Sequence, residues 1–275
     1  MFSWGLLLWA LSIGALLISE DDILVPSVVL IGSFLVPVSA IFWFAGRDHD
    51  SVLSVRRLMA AFFIAGVVGL LAAAVLETWL LPSRHWPNLW VGLIEEAFKG
   101  IGVLWLARGL KQWSVRDGVL LGTTVGLGFG AFEAAGYTFS WGMTASGFSF
   151  SDMISEEVLR AAIAPFCHGV WTGLLGAAIF ASRGRVTLGV VVVYVAVSLL
   201  HAVWDAGSTV AIVATVLASG TAEQREDLRN GIMPLPSSLD PQWFYGLVQW
   251  TVMILAASVG VLWLRRRWVR ELVRA

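Results

Sequence analysis

Seven ionisable side chains interrupt stretches of the sequence that are otherwise apolar, and acid–base or metal chemistry is what such groups could perform. The first three are in GLIEEAFKGIG, which contains Glu95, Glu96 and Lys99. Glu95 and Lys99 are four residues apart, so on a helix they share a face and can form an ion pair. One acid suffices for that pair, and the second carboxylate needs an explanation of its own.

Three later stretches supply possible partners. VGLGFGAFEAAGY contains Glu133, APFCHGVWTG contains His168, and SLLHAVWDAG contains His201 and Asp205. The last two are again four residues apart and share a helix face. Counted at ~1.5 Å per residue from the predicted outer ends of their helices, these groups and Glu96 lie about 10 to 15 Å deep. Four helices therefore present polar groups at one level.

The charge of this group limits how it can exist inside a membrane. An ionisable side chain at mid-membrane costs about 2.5 to 3.5 kcal/mol, so the group must face a polar interior. Four ionised carboxylates against one ammonium, with neutral imidazoles, would leave a net charge of −3. Either some carboxylates hold protons or a cation is bound.

These residue types could together bind a catalytic metal ion. Two imidazoles and a carboxylate around a divalent ion, with one position left for water, form the ligand set of a catalytic zinc site. Zinc lowers the pKa of its water to about 7, and a nearby Glu can take the proton as water attacks a carbonyl. The pattern indicates hydrolysis of a peptide bond, although no HExxH motif is present. The alternative is a packing role, in which the same residues make hydrogen bonds between helices.

Composition and hydropathy predict the elements that position these residues. The chain of 275 residues is 58% apolar and 13% charged, with a mean hydropathy of +0.80, values typical of a membrane protein. Apolar runs long enough to cross a bilayer occur near residues 3–19, 23–45, 58–81, 89–107, 118–139, 158–181, 187–212 and 243–264. We predict an all-α fold, a polytopic membrane helix bundle of about eight transmembrane helices. It forms a single integral membrane domain, 1–275, with a catalytic four-helix core at about 89–212.

The basic residues indicate how the bundle is oriented. With both termini cytoplasmic, the inner segments contain Arg47, Arg56, Arg57, Arg108, Lys111, Arg116, Arg183, Arg185, Arg265, Arg266, Arg267, Arg270 and Arg274. The outer segments contain only Arg84, Arg160, Arg225 and Arg229, together with the acidic residues of SDMISEEV, which are Asp152, Glu156 and Glu157. This bias predicts that the N and C termini are cytoplasmic. The first run is predicted to remain as a helix, because no Lys or Arg precedes it as in a signal peptide.

The longest outer segment, at about 219–242, is predicted to contain a short surface helix. Thr221 and Gln224 have the spacing of a capping box, and Gly231 before Pro234 gives a stop. We interpret it as a solvated connector, with a cover over an outward-opening site as the alternative.

Several other residues are not assigned to a functional site. Cys167 is the only cysteine, which excludes a disulfide within the chain and a Cys-based metal site. It adjoins His168, but adjacent helical residues point about 100° apart, so we interpret it as a small buried residue. His49 and His85 lie in predicted loops, and the formal charge of −1 argues against a nucleic-acid partner. Three glycines spaced by four predict a close approach of helix backbones: Gly122, Gly126 and Gly130.

The ordered motifs resemble those of a known family. EEAFK at 95–99, FGAFE at 129–133, the segment around His168 and HAVWD at 201–205 look like the EExxK, FxxxE, H and HxxxD motifs of the PrsW family of intramembrane proteases. That family is distantly similar to the CAAX prenyl proteases and bacteriocin-processing membrane proteases, which have EExxxR, FxxxH and HxxxN-like motifs instead. The resemblance spans residues 92–207 and rests on the four motifs together.

The resemblance implies a multi-pass protease of the bacterial cell (plasma) membrane. Its partners would be the lipid bilayer and a membrane-anchored protein substrate, cut near the extracytoplasmic side, for example an anti-sigma factor. Glu95 would be the general base, Glu96 its partner or alternate, and Lys99 the charge that orients both. The remaining four residues would hold a metal ion, Zn2+ in our expectation, or stabilise the oxyanion: Glu133, His168, His201 and Asp205. The CAAX-type relatives are thought to use a Glu and His pair without tightly held zinc, and that alternative stays open here.

Two functions of other classes also stay open. A proton- or ion-coupled transporter or channel uses intramembrane acids and histidines as well. The sequence shows no inverted repeat and no matching pair of helices broken by Gly or Pro, whereas a break at about 205–208 would favour a transporter. A scaffold for membrane partners would need no chemistry, and it would tolerate Glu95→Gln.

Overall fold

The chain folds into a bundle of α-helices. The computed structural model describes residues 2–46, 51–81, 87–144 and 147–274, of which 144 and 268–274 are described by their backbone alone. The helices are α1 (Phe2–Ser19), α2 (Val25–Ala45), α3 (Val55–Ala60), α4 (Gly66–Leu80), α5 (Pro87–Ala107), α6 (Val115–Gly142), α7 (Phe150–Ala164), α8 (Val170–Ala181), α9 (Leu188–Asp205), α10 (Gly207–Ser219), α11 (Ala222–Arg229) and α12 (Gln242–Arg274). π-Helical segments Ala61–Ala65 and Pro165–Gly169 join α3 to α4 and α7 to α8. After α6, two-residue strands β1 (Met143–Thr144) and β2 (Gly147–Phe148) pair antiparallel.

Within these described residues, seven helical stretches are long and apolar enough to cross a membrane. They are Phe2–Ser19, Asp22–Ala45, Val55–Leu80, Val115–Gly142, Phe150–Ala181, Leu188–Asp205 and Gln242–Arg267. Helix α5 has the length, with 21 residues, but it carries Glu95, Glu96 and Lys99 at its centre. A helix thus stands at each predicted span, and the all-α, polytopic membrane bundle is confirmed. The predicted loop histidines, His49 and His85, lie outside the described residues.

The seventh predicted span, 187–212, is wrong as one continuous helix. Helix α9 ends at Asp205, the backbone turns at Ala206 with φ −73° and ψ −7°, and α10 begins at Gly207. The turn lets α9 pack against α5 while α10 packs against α12. A Cβ at Gly207 would lie 3.0 Å from Cγ of Met253 on α12, so the absence of a side chain permits this contact. The break leaves the Asp205 side chain at the end of a helix.

The start of α7 corrects the prediction that Glu156, Glu157 and Arg160 belong to an outer segment. The helix extends further towards the N terminus than the predicted span, because Ser149 provides an N-cap. Glu157 is fully buried, and Oγ of Ser33 on α2 donates to its carboxylate at 3.1 Å. The Arg160 side chain is only 11% exposed. Both residues therefore belong to the interior of the bundle.

Two peripheral elements also have defined contacts. Helix α1 lies along α2, and the indole N–H of Trp9 donates to the carbonyl of Val28 at 3.0 Å. In the loop before α12, the backbone N–H of Gln224 donates to Oγ1 of Thr221 at 3.1 Å, and the backbone N–H of Thr221 donates to Oε1 of Gln224 at 3.0 Å. This capping box starts α11, and Gly231 with φ +77° follows its end.

Helices α6 and α8 pack backbone to backbone. A Cβ on Gly122 would overlap the carbonyl oxygen of Thr172, and one on Gly126 would overlap that of His168. At Gly130 it would lie 2.9 Å from Cδ2 of the His168 ring. The prediction that these glycines allow helices to approach is confirmed. The approach also brings the π-helical segment with His168 against α6.

Candidate active site

Helix α5 carries its charged residues on the face that enters the bundle. Glu95, Glu96 and Lys99 have side-chain exposures of 7%, 0% and 0%. The Lys99 ammonium donates to Oε2 of Glu95 at 3.1 Å and to Oε1 of Glu96 at 2.8 Å. Gly92 allows the helix to approach α9 closely, since a Cβ at this position would lie only 2.5 Å from the carbonyl oxygen of Ser198. The small residue therefore places both carboxylates beside α9.

Helix α9 contributes His201 and Asp205. Nδ1 of His201 lies 3.0 Å from Oε1 of Glu96. Nε2 lies 3.5 Å from Oε2 of Glu95 and 3.6 Å from Oδ2 of Asp205. Because an ionised carboxylate only accepts, Nδ1 donates to Glu96, and this contact fixes the orientation of the ring. A neutral ring in this tautomer presents the lone pair of Nε2 to the other two carboxylates.

His168 stands on the π-helical segment between α7 and α8. That segment begins with Pro165, which has no N–H to donate, and single π turns are frequent at functional sites. Nδ1 of His168 lies 2.9 Å from Nζ of Lys99, and Nε2 lies 3.3 Å from Oε2 of Glu133. An ammonium can only donate, so Nδ1 accepts, and a neutral ring then carries its proton on Nε2, whose contact with Glu133 does not have the geometry of a hydrogen bond. A metal ion bound to His168 must therefore replace one of these two contacts.

The donor atoms at the centre of the cluster fit a metal ion. Glu95, His168 and His201 are buried, and each offers one ligand atom within 4.8 Å of the other two. Three atoms here are buried without a hydrogen-bond partner in the described part of the chain: Oε2 of Glu133, Nε2 of His168 and Oδ2 of Asp205. Imidazole nitrogens and carboxylate oxygens are ligands of catalytic zinc. Buried carboxylate oxygens that lack a donor, such as those of Glu133 and Asp205, are also the groups that a cation stabilises.

All seven site residues predicted from the sequence lie in this one cluster. The Lys99 ammonium joins the α5 carboxylates to His168, and Glu96 joins Lys99 to His201. Glu133 on α6 adjoins His168, and Asp205 adjoins His201. The geometry brings these side chains together, while the role of each remains a prediction.

Three further residues extend the cluster, and the sequence analysis missed their involvement. Arg160 contacts Oε1 of Glu133 at 3.3 Å and Oε1 of Glu156 at 2.6 Å, and its guanidinium carbon lies 3.8 Å from the centre of the Tyr137 ring. Tyr137 is four residues after Glu133 on α6. Helical spacing from Glu133 could have indicated the tyrosine, whereas the arginine was assigned to an outer segment because it lies at the outer end of the predicted span 158–181.

Two other residues near the cluster were also missed. The Trp171 ring is fully buried, with its centre 5.4 Å from that of His201 and 6.0 Å from that of His168. Glu77 on α4 lies within electrostatic range of Glu133 and Asp205, and its Oε1 has no hydrogen-bond partner among the residues that the structure describes. Its position within the apolar AAAVLETWL is the signal that could have identified it.

The cluster is open on one side. Its most exposed side chains are Asp205 at 21%, with Arg160 and Glu156 at 11% each, whereas Lys99 and His168 are fully buried. Asp205, at the end of α9, is therefore the most exposed member of the cluster, while Lys99 and His168 are shielded from water.

Comparison with known proteins gives the class of the chain. The family model described as PrsW family intramembrane metalloprotease matches residues 54–222, a segment that contains all seven predicted site residues and more than half of the chain. Searches of the curated proteins and of the solved structures found no match. The matched segment runs from the N-cap of α3 to the start of α11 and holds the buried Glu and His donors. The chain is thus a multi-pass membrane protein and belongs to the PrsW family of intramembrane metalloproteases.

Proposed function

We propose that the chain cuts a membrane-anchored protein near the extracytoplasmic side of the bacterial plasma membrane, with Zn2+ as its cofactor. The observation that carries this proposal is the buried group of Glu95, His168 and His201, whose ligand atoms lie within 4.8 Å of one another. The family gives the reaction as hydrolysis of a peptide bond of a membrane-embedded protein. The helices within about 89–212 are its catalytic core.

Glu95, His168 and His201 are the residues that would hold the zinc ion. Two imidazoles and one carboxylate are a known ligand set of catalytic zinc. When bound there, zinc would polarise a water molecule and the scissile carbonyl. This assignment differs from the sequence-based expectation that Glu95 is the general base. The reason is that, of the two histidine rings, Glu133 adjoins that of His168 and Asp205 adjoins that of His201, whereas Glu95 lies with both rings.

Glu133 is the residue to which we assign proton transfer. Its Oε2 is buried, lacks a hydrogen-bond partner in the described structure and lies 3.3 Å from Nε2 of His168. Its Oε1 is held by Arg160 at 3.3 Å. A carboxylate with one fixed and one available oxygen can take a proton from the attacking water and deliver it to the leaving amine.

The remaining cluster residues orient these groups. Glu96 holds Nδ1 of His201, which keeps Nε2 directed into the site. Lys99 holds Oε2 of Glu95 and balances the charge of the two adjacent carboxylates. Asp205 is the most exposed member and lies where the substrate enters.

An anti-sigma factor with a membrane anchor is the substrate that we propose. In the predicted orientation, the open side of the cluster at Asp205 faces the outer half of the bilayer. A single-span substrate can present an extended segment at that depth while its anchor stays in the lipid. The resemblance to the PrsW motifs supports an anti-sigma factor as this substrate.

Cleavage in reconstituted liposomes tests the function. The probe is a panel of single-span reporter proteins, each with a fluorescent domain on the outer side of its helix. Wild-type protein loaded with zinc is expected to release the domain, and Glu95→Gln is expected to lower release to background, because the variant lacks an anionic ligand at the zinc position. Equal release by both proteins, or none by the wild type, would contradict the proposal.

The transporter alternative predicts a different result in the same liposomes. The break after Asp205 is the feature that favours it, although the family match gives a protease. A transporter would show a proton or ion flux that Glu95→Gln abolishes, without cleavage of any reporter. We expect cleavage and no such flux.

A further inference from the structure

We propose that Arg160 is a positioning residue for catalysis, which holds the Glu133 carboxylate so that one oxygen faces the reacting water. The inference rests on the proposed function of Glu133 in proton transfer. Arg160 lies outside the four sequence motifs.

The first support is that the two oxygens of the Glu133 carboxylate contact different residues. Oε1 accepts a hydrogen bond from Arg160 at 3.3 Å, and Oε2 faces Nε2 of His168 at 3.3 Å. Among the described residues, Arg160 is the hydrogen-bond donor to this carboxylate. Rotation of the carboxylate away from His168 therefore requires that the contact with Arg160 breaks.

The second support is that Arg160 is itself held rigidly. Its Nε donates to Glu156 at 2.6 Å, and its guanidinium lies 3.8 Å above the Tyr137 ring. The side chain is 11% exposed, so it has little freedom to leave. A planar guanidinium that is stacked on a ring and bonded on two edges gives a fixed direction to the bond with Glu133, which a flexible ammonium would not.

The third support is the π-helical segment between Arg160 and His168. The two residues are eight apart on the continuous α7–α8 rod, which in a regular α-helix is about 2.2 turns and would separate their directions by about 80°. One π turn takes up an extra residue, so the same eight residues make about 1.9 turns. Arg160 and His168 consequently face the same side, where Glu133 on α6 bridges them.

The closest control for Arg160 is its second ion-pair partner. Glu156 makes the shorter contact with the guanidinium, but it lies on α7 itself, and within the described structure it forms no ion pair with either histidine. Glu156→Gln therefore loosens Arg160 without touching the Glu133 oxygen that we assign to proton transfer. If Arg160 acts through Glu133, the two glutamates differ in their effect on kcat.

The test compares Arg160→Gln, Arg160→Lys, Glu133→Gln and Glu156→Gln, together with the Arg160→Gln/Glu133→Gln double variant. The readouts are kcat and KM on the single-span fluorescent reporters, the zinc content, and the thermal unfolding midpoint in detergent. We expect Arg160→Gln to lower kcat about 10²-fold, the typical loss when a catalytic group is misplaced by about 1 Å, with KM and zinc content unchanged. Arg160→Lys should recover part of that loss. Glu156→Gln removes one of the contacts that hold Arg160 but leaves its bond to Glu133, so it should lower kcat less than Arg160→Gln does. The double variant should be no slower than Glu133→Gln, since Arg160 has nothing left to position.

Several results would overturn the inference. A kcat of Arg160→Gln equal to that of the wild type would do so. Equal losses of kcat in Arg160→Gln and Glu156→Gln would also do so, because they would indicate a general effect on the packing of α7. Losses that multiply in the double variant would show that Arg160 acts independently of Glu133. If the wild type cleaves no reporter, the proposed function itself fails, whereas a cleaving wild type with an unchanged kcat in Arg160→Gln overturns this inference alone. The unfolding midpoint shows whether a variant is inactive because it misfolds. A midpoint that is lower in Arg160→Gln and is restored in the double variant would reflect the loss of the Arg160–Glu133 ion pair.

Discussion

Lys99→Met is expected to destabilise the protein by about 3 to 5 kcal/mol, the usual cost of removing one partner from a buried ion pair. The ammonium is fully buried and contacts Glu95, Glu96 and His168 at 2.8 to 3.1 Å. Methionine fills a similar volume but leaves two adjacent carboxylates without a cation. The loss is measured as the free energy of unfolding in detergent, followed by circular dichroism.

Lys111→Met is the matched control, because Lys111 is exposed in the connection between α5 and α6. It makes the same chemical change and should alter stability by less than about 0.5 kcal/mol. A second variant, Lys99→Met with Glu96→Gln, should recover part of the stability, since it removes one of the stranded charges. Equal stability of Lys99→Met and Lys111→Met would show that the buried cluster contributes nothing to the fold.

Glu133→Gln is expected to keep the bound zinc and to lower kcat by about 10² to 10⁴-fold, the range that general acid–base catalysis contributes. The amide has nearly the shape of the carboxylate but cannot take a proton. Glu95→Gln should instead act on zinc binding, because we place Glu95 among the zinc ligands. It should lose zinc first, and activity as a consequence.

Zinc content and reporter cleavage measured on both variants separate the two assignments. If Glu95 is the general base and Glu133 a zinc ligand, as the resemblance implied, the results are exchanged: Glu95→Gln keeps zinc without activity, and Glu133→Gln loses it. That exchange would contradict our division of roles while leaving the site itself intact.

The sequence was informative about the site because charges in apolar runs are rare and costly. Glu95, Glu96, Lys99, Glu133 and the residues of HAVWD are conspicuous for that reason, and the structure brings them together. Pairs four apart, such as His201 and Asp205, also follow directly from helix geometry. The spacing of Gly122, Gly126 and Gly130 predicted the contact of α6 with α8 by the same logic.

Features that depend on tertiary packing could not be predicted in this way. Arg160 lies at the outer end of the predicted span 158–181 and was assigned to an outer segment, although α7 begins at Phe150 and largely buries it. The π turn at His168 has Pro165 as its only local signal, and proline is compatible with an ordinary helix start. The turn at Ala206 lies in an apolar run without proline, and it accompanies packing in which α9 contacts α5 and α12 while α10 contacts mainly α12.

The roles of the two glutamates illustrate the same limit. The resemblance implied Glu95 as the general base, with Glu96 as its partner or alternate, and Glu133 as a metal ligand or a stabiliser of the oxyanion. Only distances show that the Glu95 ligand atom lies with those of both imidazoles, while Glu133 adjoins one imidazole and is fixed by Arg160. Sequence spacing along separate helices cannot distinguish these arrangements, because they differ by a few ångströms across the bundle.

Metal content tests the central claim most directly. Wild-type and His201→Ala protein are purified in detergent, loaded with zinc, desalted and analysed by inductively coupled plasma mass spectrometry. Glu95, His168 and His201 as ligands predict about one zinc per wild-type chain and almost none in His201→Ala, because two remaining ligands do not hold the ion through desalting. No zinc in the wild type, or equal zinc in both proteins, would contradict the metal site that we assign to this cluster.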